Sequence, residues 1–177
     1  MSRARILVVD DDGDIRELLR ELLGRAGYDV EVAEDGRAGV RALFAARPDL
    51  VVLDVNMPGL DGWQTLERMR DVSEVPVLML TARAGELEKV RGLTRGDGSD
   101  LPPIDAMLVE PAAPAALELA RSLRARFPEL AIVCASIFPA EPAALELGPL
   151  AYLEKPFGLS ELEYVLRLAI ERPAAAA

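Results

Sequence analysis

The sequence predicts an α/β fold, a doubly wound parallel sheet of about seven strands with helices on both faces. Short apolar runs at residues 6–9, 50–53 and 76–82 are separated by segments whose apolar residues recur at helical spacing. This alternation of strand and helix patterns is typical of a parallel sheet. The runs contain few polar residues, as expected of strands that are covered on both faces. Because 51% of the chain is apolar, a sizeable core is available.

The first strand is predicted at residues 6–9 and runs directly into Asp10 and Asp11. Asp14 is predicted to cap the helix that follows, because short acidic side chains accept hydrogen bonds from the first free N–H groups of a helix. Residues 28–33 alternate between polar and apolar side chains, which is the pattern of a half-buried edge strand. A second helix then begins after this strand.

The central strand is predicted at residues 50–53 and ends on a single carboxylate, Asp54. A turn follows at residues 57–59, and a helix is predicted at residues 62–70. Open α/β sheets bind ligands at the carboxyl ends of their strands, so Asp54 is a candidate site residue. From this strand alone the interpretation stays open, since an aspartate at such a point also commonly starts a turn.

The fourth strand is predicted at residues 76–82 and carries a hydroxyl, Thr81, near its end. A charged helix at residues 85–93 is predicted after it, closed by Gly96. Four strands therefore alternate with four helices, and right-handed crossovers between parallel strands would place all strand ends at one edge of the sheet.

Four polar side chains would meet at that edge: Asp10, Asp11, Asp54 and Thr81. Several carboxylates close together repel one another unless a cation lies among them. Mg²⁺ is the expected cation, because it takes oxygen ligands and retains several waters. A carboxylate beside it can act as a nucleophile and form an acyl phosphate, with the Thr81 hydroxyl donating to a phosphoryl oxygen. A fixed cation would also be needed to pair with the phosphoryl group.

Three motifs, at residues 6–12, 54–62 and 80–82, give the chain a resemblance to the receiver domain of two-component response regulators, which has a flavodoxin-like, CheY-like fold. The resemblance implies that Asp54 is the phospho-acceptor and Thr81 the switch hydroxyl. It implies Mg²⁺ as cofactor, held by Asp11, Asp54 and the Asn56 carbonyl, with Asp10 supporting the ion through water.

The same resemblance implies partners and a mode of action. The partners would be a histidine kinase or phosphotransfer protein, which supplies the phosphoryl group, and a downstream effector protein. The chain would act in a phosphorelay as a signalling protein and not as an enzyme. A phosphorylation-independent pseudo-receiver that serves as an interaction module is the alternative.

The second half departs from this pattern, because the Lys-Pro-Phe motif expected after the fourth helix is delayed to residues 155–157. A new strand is predicted at residues 105–110, ending at Glu110, which lies 56 residues after Asp54. Another strand is predicted at residues 130–136. Its last residue, Ser136, lies 55 residues after Thr81, so the second half resembles the later part of another receiver.

The predicted organisation follows from this repeat. It comprises a receiver-like segment of four βα units at residues 1–97, a linker at 98–103, a partial receiver-like half at 104–172 packed on the same sheet, and a disordered tail at 173–177. In the last helix, Ser160 is predicted as the cap.

Two arrangements of the second half are consistent with the sequence. In the first, which is favoured because short connections usually join neighbours, the strand ending at Glu110 lies beside the Thr81 strand. Lys155 is then remote, and the Asp54 pocket lacks its cation. In the second, the Lys155 strand lies beside Thr81, so that Lys155 pairs with the phosphoryl group and Tyr152 is the switch aromatic.

Bulk properties restrict the class of partner. A net charge of −10 argues against nucleic acid and anionic membrane as partners, and the absence of histidine excludes histidine-based chemistry. The single cysteine, Cys134, lies in an apolar run and is expected in the core. No stretch reads as a membrane span or signal peptide, so a cytoplasmic location is expected. A homodimer that exchanges halves is possible because each half lacks what the other has.

Overall fold

The computed structural model describes residues 3–81, 102, 104–140, 142–155 and 158–171. Within these residues, seven strands form one sheet in which every pair of neighbours is parallel. The strands are β1 (Arg5–Val9), β2 (Asp29–Ala33), β3 (Leu50–Asp54), β4 (Val77–Thr81), β5 (Ala106–Val109), β6 (Ala131–Ser136) and β7 (Ala151–Glu154). Their order across the sheet is β2-β1-β3-β4-β5-β6-β7. The prediction of a parallel α/β sheet of about seven strands is confirmed.

Six helices lie in the part of the chain that the structure describes. They are α1 (Gly13–Arg25), α2 (Gly36–Ala46), α3 (Gly62–Arg70), α4 (Pro114–Arg126), α5 (Pro142–Leu145) and α6 (Leu159–Glu171). The predicted helix at residues 85–93, the tail at 173–177 and all of the linker except Pro102 lie outside the described residues.

Both faces of the sheet are covered, because alternate strand residues point to opposite sides. One face places Leu53, Met79 and Met107 in a cluster with α2, α3 and α4 residues such as Leu66 and Leu119. The other face packs β1, β3 and β4 against Leu23 of α1 and Leu166 of α6. The strands are therefore buried on both sides, which explains why their sequences are apolar runs and not alternating patterns.

Two predicted helix caps are wrong. The N-cap of α1 is Asp12, whose carboxylate accepts from the backbone N–H groups of Asp14 and Ile15, so Asp14 lies in the first turn. Ser160 lies inside α6, which begins at Leu159.

A buried ion pair connects the two halves at the amino end of the sheet. Arg70, the last residue of α3, lies with Nη2 2.5 Å from the Asp105 Oδ2, and the two side chains are 12% and 7% exposed. The same Asp105 oxygen accepts from the Val77 backbone N at 2.9 Å. Asp49 makes the equivalent contact in the first half, accepting from the Arg5 backbone N at 2.7 Å. This shared role supports the internal repeat predicted from the sequence.

Candidate functional site

The predicted acidic residues converge where β1 and β3 end. Asp10 follows β1 directly and is 6% exposed. Asp54 is the last residue of β3 and is half-buried, and Asp11 is exposed. One carboxylate oxygen from each of the three residues lies within 4.8 Å of the others. Parallel strands that end at the same edge of the sheet thus bring together residues that are 43 or 44 positions apart in the sequence.

Hydrogen bonds hold the loop between β1 and α1 in place. The Asp10 carboxylate accepts from the Asp12 backbone N at 2.8 Å, and Asp12 in turn caps α1. From the second turn of this helix, Arg16 reaches back and donates from Nη1 to the Asp10 carbonyl oxygen at 2.7 Å. The first carboxylate is therefore positioned by backbone contacts and not by a partner side chain in the cluster.

The loop after Asp54 is fixed by a close approach that only glycine allows. A Cβ on Gly62 would lie 2.4 Å from the Asp54 carbonyl oxygen and 2.6 Å from the Val55 Cα, both far inside normal contact. The Gly62 N–H donates to the Val55 carbonyl at 3.0 Å, and a capping box between Asp61 and Gln64 starts α3 at this point. Sequence reasoning gave Gly62 no role beyond the family motif, because the approach depends on how α3 packs.

Burial and like charge raise the proton affinity of the site. Burial raises the pKa of the Asp54 carboxyl from 3.8 to about 6, and the negative charges of Asp10 and Asp11 add to this, while backbone N–H groups of Asn56 and Val55 oppose it. Burial likewise raises the pKa of Asp10. Both shifts mean that a second or third negative charge is unfavourable here until a cation is supplied.

The donor set fits a hard divalent cation. Three carboxylates converge with oxygen atoms only, and the exposure of Asp11 leaves one side open to water, as Mg²⁺ requires. Asn56 is half-buried two residues after Asp54, and its backbone N–H donates to the Asp54 carboxylate. Asp10, Asp11 and Asp54 would hold the ion directly or through water, and the predicted contribution of the Asn56 carbonyl stays a prediction.

Thr81 ends β4, the strand beside β3. Asp54 is paired with Leu80, the residue before Thr81, and the Val55 N–H donates to the Leu80 carbonyl at 3.2 Å. The half-buried threonine thus lies one strand away from the carboxylate cluster. The position suits a hydroxyl that approaches a group carried by Asp54, and its role as a switch stays a prediction.

The strand beside β4 is β5, so the first of the two predicted arrangements is the observed one. Thr81 is paired with Val109, and Glu110 follows directly. Three strands separate β3 from β7, which places the strand of Lys155 about 19 Å from that of Asp54 at the usual strand spacing. This order does not support the expected pairing of Lys155 with a phosphoryl group on Asp54. No ion pair joins Asp54 to a lysine or arginine among the described residues.

Lys155 instead completes a second set of strand-end side chains, which we call the Glu110 cluster: Glu110, Ser136 and Lys155. The Lys155 Nζ lies 2.7 Å from the Glu110 Oε2, and the Ser136 hydroxyl also hydrogen bonds to Glu110. Partial burial raises the pKa of Glu110, but the contacts with Lys155 and Ser136 outweigh it and hold the pKa below its usual value. The repeat had placed Glu110 and Ser136 at equivalent strand ends, but it gave no sign of the contact with Lys155.

Comparison with known proteins agrees with this geometry. The family model for the response regulator receiver domain matches residues 6–98, which is more than half of the 177-residue chain. A "Response regulator MprA" from Mycolicibacterium vanbaalenii is 48% identical over 99 residues, which are 55% of this chain and 43% of that protein. The chain therefore matches less than half the length of this relative.

Solved structures extend the similarity to the second half. A putative response regulator from Chloroflexus aurantiacus aligns over 97% of this chain and 100% of its own, at 26% identity and a TM-score of 0.53. The receiver domain of the sensor histidine kinase PA1611 from Pseudomonas aeruginosa, described with a magnesium ion in its active-site cleft, aligns over 97% of this chain and 100% of its own at 22% identity and a TM-score of 0.52, which shows the fold alone. With its flavodoxin-like sheet and its acidic strand-end pocket, the chain belongs to the response regulator receiver domain family.

Proposed function

We propose that Asp54 accepts a phosphoryl group from a histidine kinase or phosphotransfer protein, in a reaction that needs Mg²⁺ at the Asp10, Asp11 and Asp54 carboxylates. The observation that carries this proposal is the convergence of those three carboxylates within 4.8 Å at the strand ends of a receiver fold. Receiver domains of response regulators act with histidine kinases and effector domains, which supports the choice of donor and of readout.

The half-buried Asp54 carboxylate is placed to act as the nucleophile. One of its oxygens would bond to phosphorus while the bond from phosphorus to the donor's imidazole nitrogen breaks, and that nitrogen then takes a proton from solvent. The ion would neutralise charge on the phosphoryl oxygens. The pKa of about 6 for Asp54 leaves most of this carboxylate ionised at neutral pH.

The protein would signal through contacts with an effector protein and not by catalysing a reaction. Thr81 on the neighbouring strand would donate its hydroxyl to a phosphoryl oxygen, which would alter a surface read by an effector protein. In this proposal the chain is a switch and not an enzyme. Among the described residues, no helix has the length and apolar character that a bilayer span requires.

The test is incubation with acetyl phosphate and Mg²⁺ followed by intact mass measurement. We expect one added phosphoryl group on the wild type, none on Asp54→Ala, and none when the metal is removed with a chelator. Asp71→Ala is the matched control, because Asp71 is exposed at the C-cap of α3 and should leave the reaction unchanged. An unmodified wild type, or equal labelling of Asp54→Ala, would contradict the proposal and leave a phosphorylation-independent interaction module.

A further inference from the structure

The two halves present the same kinds of side chain at equivalent strand ends. Asp54 ends β3 and Thr81 ends the neighbouring β4. In the second half, Glu110 directly follows β5 and Ser136 ends the neighbouring β6. Both pairs consist of a carboxylate and a hydroxyl on adjacent parallel strands. They differ in one methylene of side-chain length and in the presence of Lys155 beyond the second pair.

The contact between Lys155 and Glu110 spans the end of β6. Glu110 directly follows β5 and Lys155 directly follows β7, with β6 between them, yet the Lys155 Nζ lies 2.7 Å from the Glu110 Oε2. Ser136, at the end of β6, hydrogen bonds to the same carboxylate. The backbone is fixed as well, because the Lys155 N–H donates to the Ser136 carbonyl at 2.7 Å. An ammonium and a hydroxyl from two strands thus converge on one anionic group.

We propose that Lys155 and Ser136 form an oxyanion site and that Glu110 fills this site permanently from within the chain. An ammonium and a hydroxyl are the groups expected around a phosphoryl group on an aspartate, and a glutamate carboxylate extends one methylene further from the backbone than an aspartate does. The comparison of Glu110 with a phosphorylated aspartate rests on the proposed function, which is phosphorylation of Asp54. The occupied site itself rests only on the contacts of Glu110.

The loop after β6 is connected to this site. Ser136 accepts at Oγ from the Phe138 backbone N at 3.3 Å, and the Tyr152 hydroxyl lies 3.1 Å from the Phe138 carbonyl oxygen. Ile137 and Phe138 are 64% and 48% exposed. Because Glu110 belongs to the chain, the contacts that connect it through Ser136 to this loop are made without a phosphoryl group.

The test removes the Glu110 carboxylate by substitution and supplies acetate from solution in its place. Glu110→Ala lacks the part of the side chain that acetate resembles, so acetate should enter the site. The readout is the backbone amide chemical shifts of Phe138 and Tyr152 in the full chain. We expect these shifts to change in Glu110→Ala and to return most of the way to wild-type positions, with saturation, as acetate is added at constant ionic strength against chloride. No Mg²⁺ or phosphoryl donor is present, so the result is independent of phosphorylation at Asp54.

Three variants make the outcome decisive. The Glu110→Ala/Lys155→Met double variant should show no acetate response, and Glu154→Ala, which removes an exposed carboxylate one residue from Lys155, should behave as the wild type. Glu110→Gln keeps the side-chain length, serves if Glu110→Ala does not fold, and should shift the two amides without an acetate response. Unchanged amides in Glu110→Ala, or an equal acetate effect in the double variant, would overturn the proposal.

Discussion

The two strand-end sites of this sheet have related side chains and opposite electrostatics. The carboxylates of Asp10, Asp11 and Asp54 face one another, and among the described residues no lysine or arginine forms an ion pair with Asp54, whose pKa rises to about 6. Glu110 has Lys155 within 2.7 Å, and its pKa falls below the usual value. The difference shows that a strand-end carboxylate among other carboxylates favours a cation, whereas Glu110, which a lysine reaches, is already paired within the chain.

The largest expected effect comes from breaking the buried ion pair between Arg70 in the first half and Asp105 in the second. In Arg70→Met, Asp105 keeps its buried position without its cation, and we expect a loss of about 3 to 5 kcal/mol in the free energy of unfolding, as for other buried ion pairs broken on one side. Denaturant unfolding measures this. The control is Asp29→Ala, whose ion pair with Arg5 is exposed (58% and 44%) and should cost less than about 1 kcal/mol. Equal losses in both variants would contradict the structural link.

The second effect concerns the cost of ionising the buried Asp54 carboxyl beside Asp10 and Asp11. The folded-state pKa of Asp54 lies above the unfolded value of 3.8, so ionised Asp54 destabilises the metal-free protein and stability falls as pH rises from about 4 through about 6. Asp54→Asn should therefore be more stable than the wild type at pH 7 by about 2 kcal/mol, after allowance for partial exposure. Thermal unfolding without metal measures this. The advantage should vanish at pH 3.5, and an unchanged difference there would argue against the titration of Asp54.

The third effect is the pH dependence of the affinity of the acidic site for Mg²⁺. Because Mg²⁺ must displace the proton on Asp54, its affinity should fall by roughly tenfold per pH unit once the pH is below about 6. Calorimetric titration at several pH values measures the dependence. Lys155→Met is a suitable control, since Lys155 lies three strands beyond the β4 end of the site, and it should show the same profile as the wild type. A profile that shifts in this variant would mean that the two sites are coupled.

The smallest effect is that of the Glu110 cluster on stability. Lys155 and Glu110 are 40% and 24% exposed, so Lys155→Met should cost only about 0.2 to 1 kcal/mol at pH 7. The pKa of Glu110 is lowered in the folded state, so this contribution is present above about 4.5 and is lost as pH falls through the folded-state value. Urea unfolding of both proteins at pH 7 and pH 3.5 measures this. A difference that is no smaller at the lower pH would place its origin elsewhere.

Much of the acidic site could be predicted from the sequence because its residues lie at the ends of strands that the sequence pattern locates. Apolar runs locate β1, β3 and β4, and parallel strands end at one edge of the sheet, so Asp10, Asp54 and Thr81 are expected at the same edge. The placement of β5 beside β4 followed from the short-connection rule. The pairing is confirmed by Thr81 lying opposite Val109.

The remaining features depend on which side chains come into contact and on how the helices pack, and neither can be predicted from the pattern of residue types along the sequence. The expected role of Lys155 is based on a motif, but three strands separate β7 from β3, and its ammonium contacts Glu110 across the end of β6. The cap of α1 was placed at Asp14 and not at Asp12 because several aspartates are equally suitable by type. In the structure Asp12 serves, accepting from the backbone N–H groups of Asp14 and Ile15.

The close approach of Gly62 to the Asp54 backbone has a consequence for how this protein can vary. A Cβ there would meet the carbonyl oxygen at 2.4 Å, and backbone atoms cannot rotate away as a side chain would. Every substitution at this position must displace the residue that carries the candidate acceptor. In a library of random variants selected for Asp54 phosphorylation, position 62 should therefore return glycine alone, whereas exposed neighbours such as Pro58 should accept many residues.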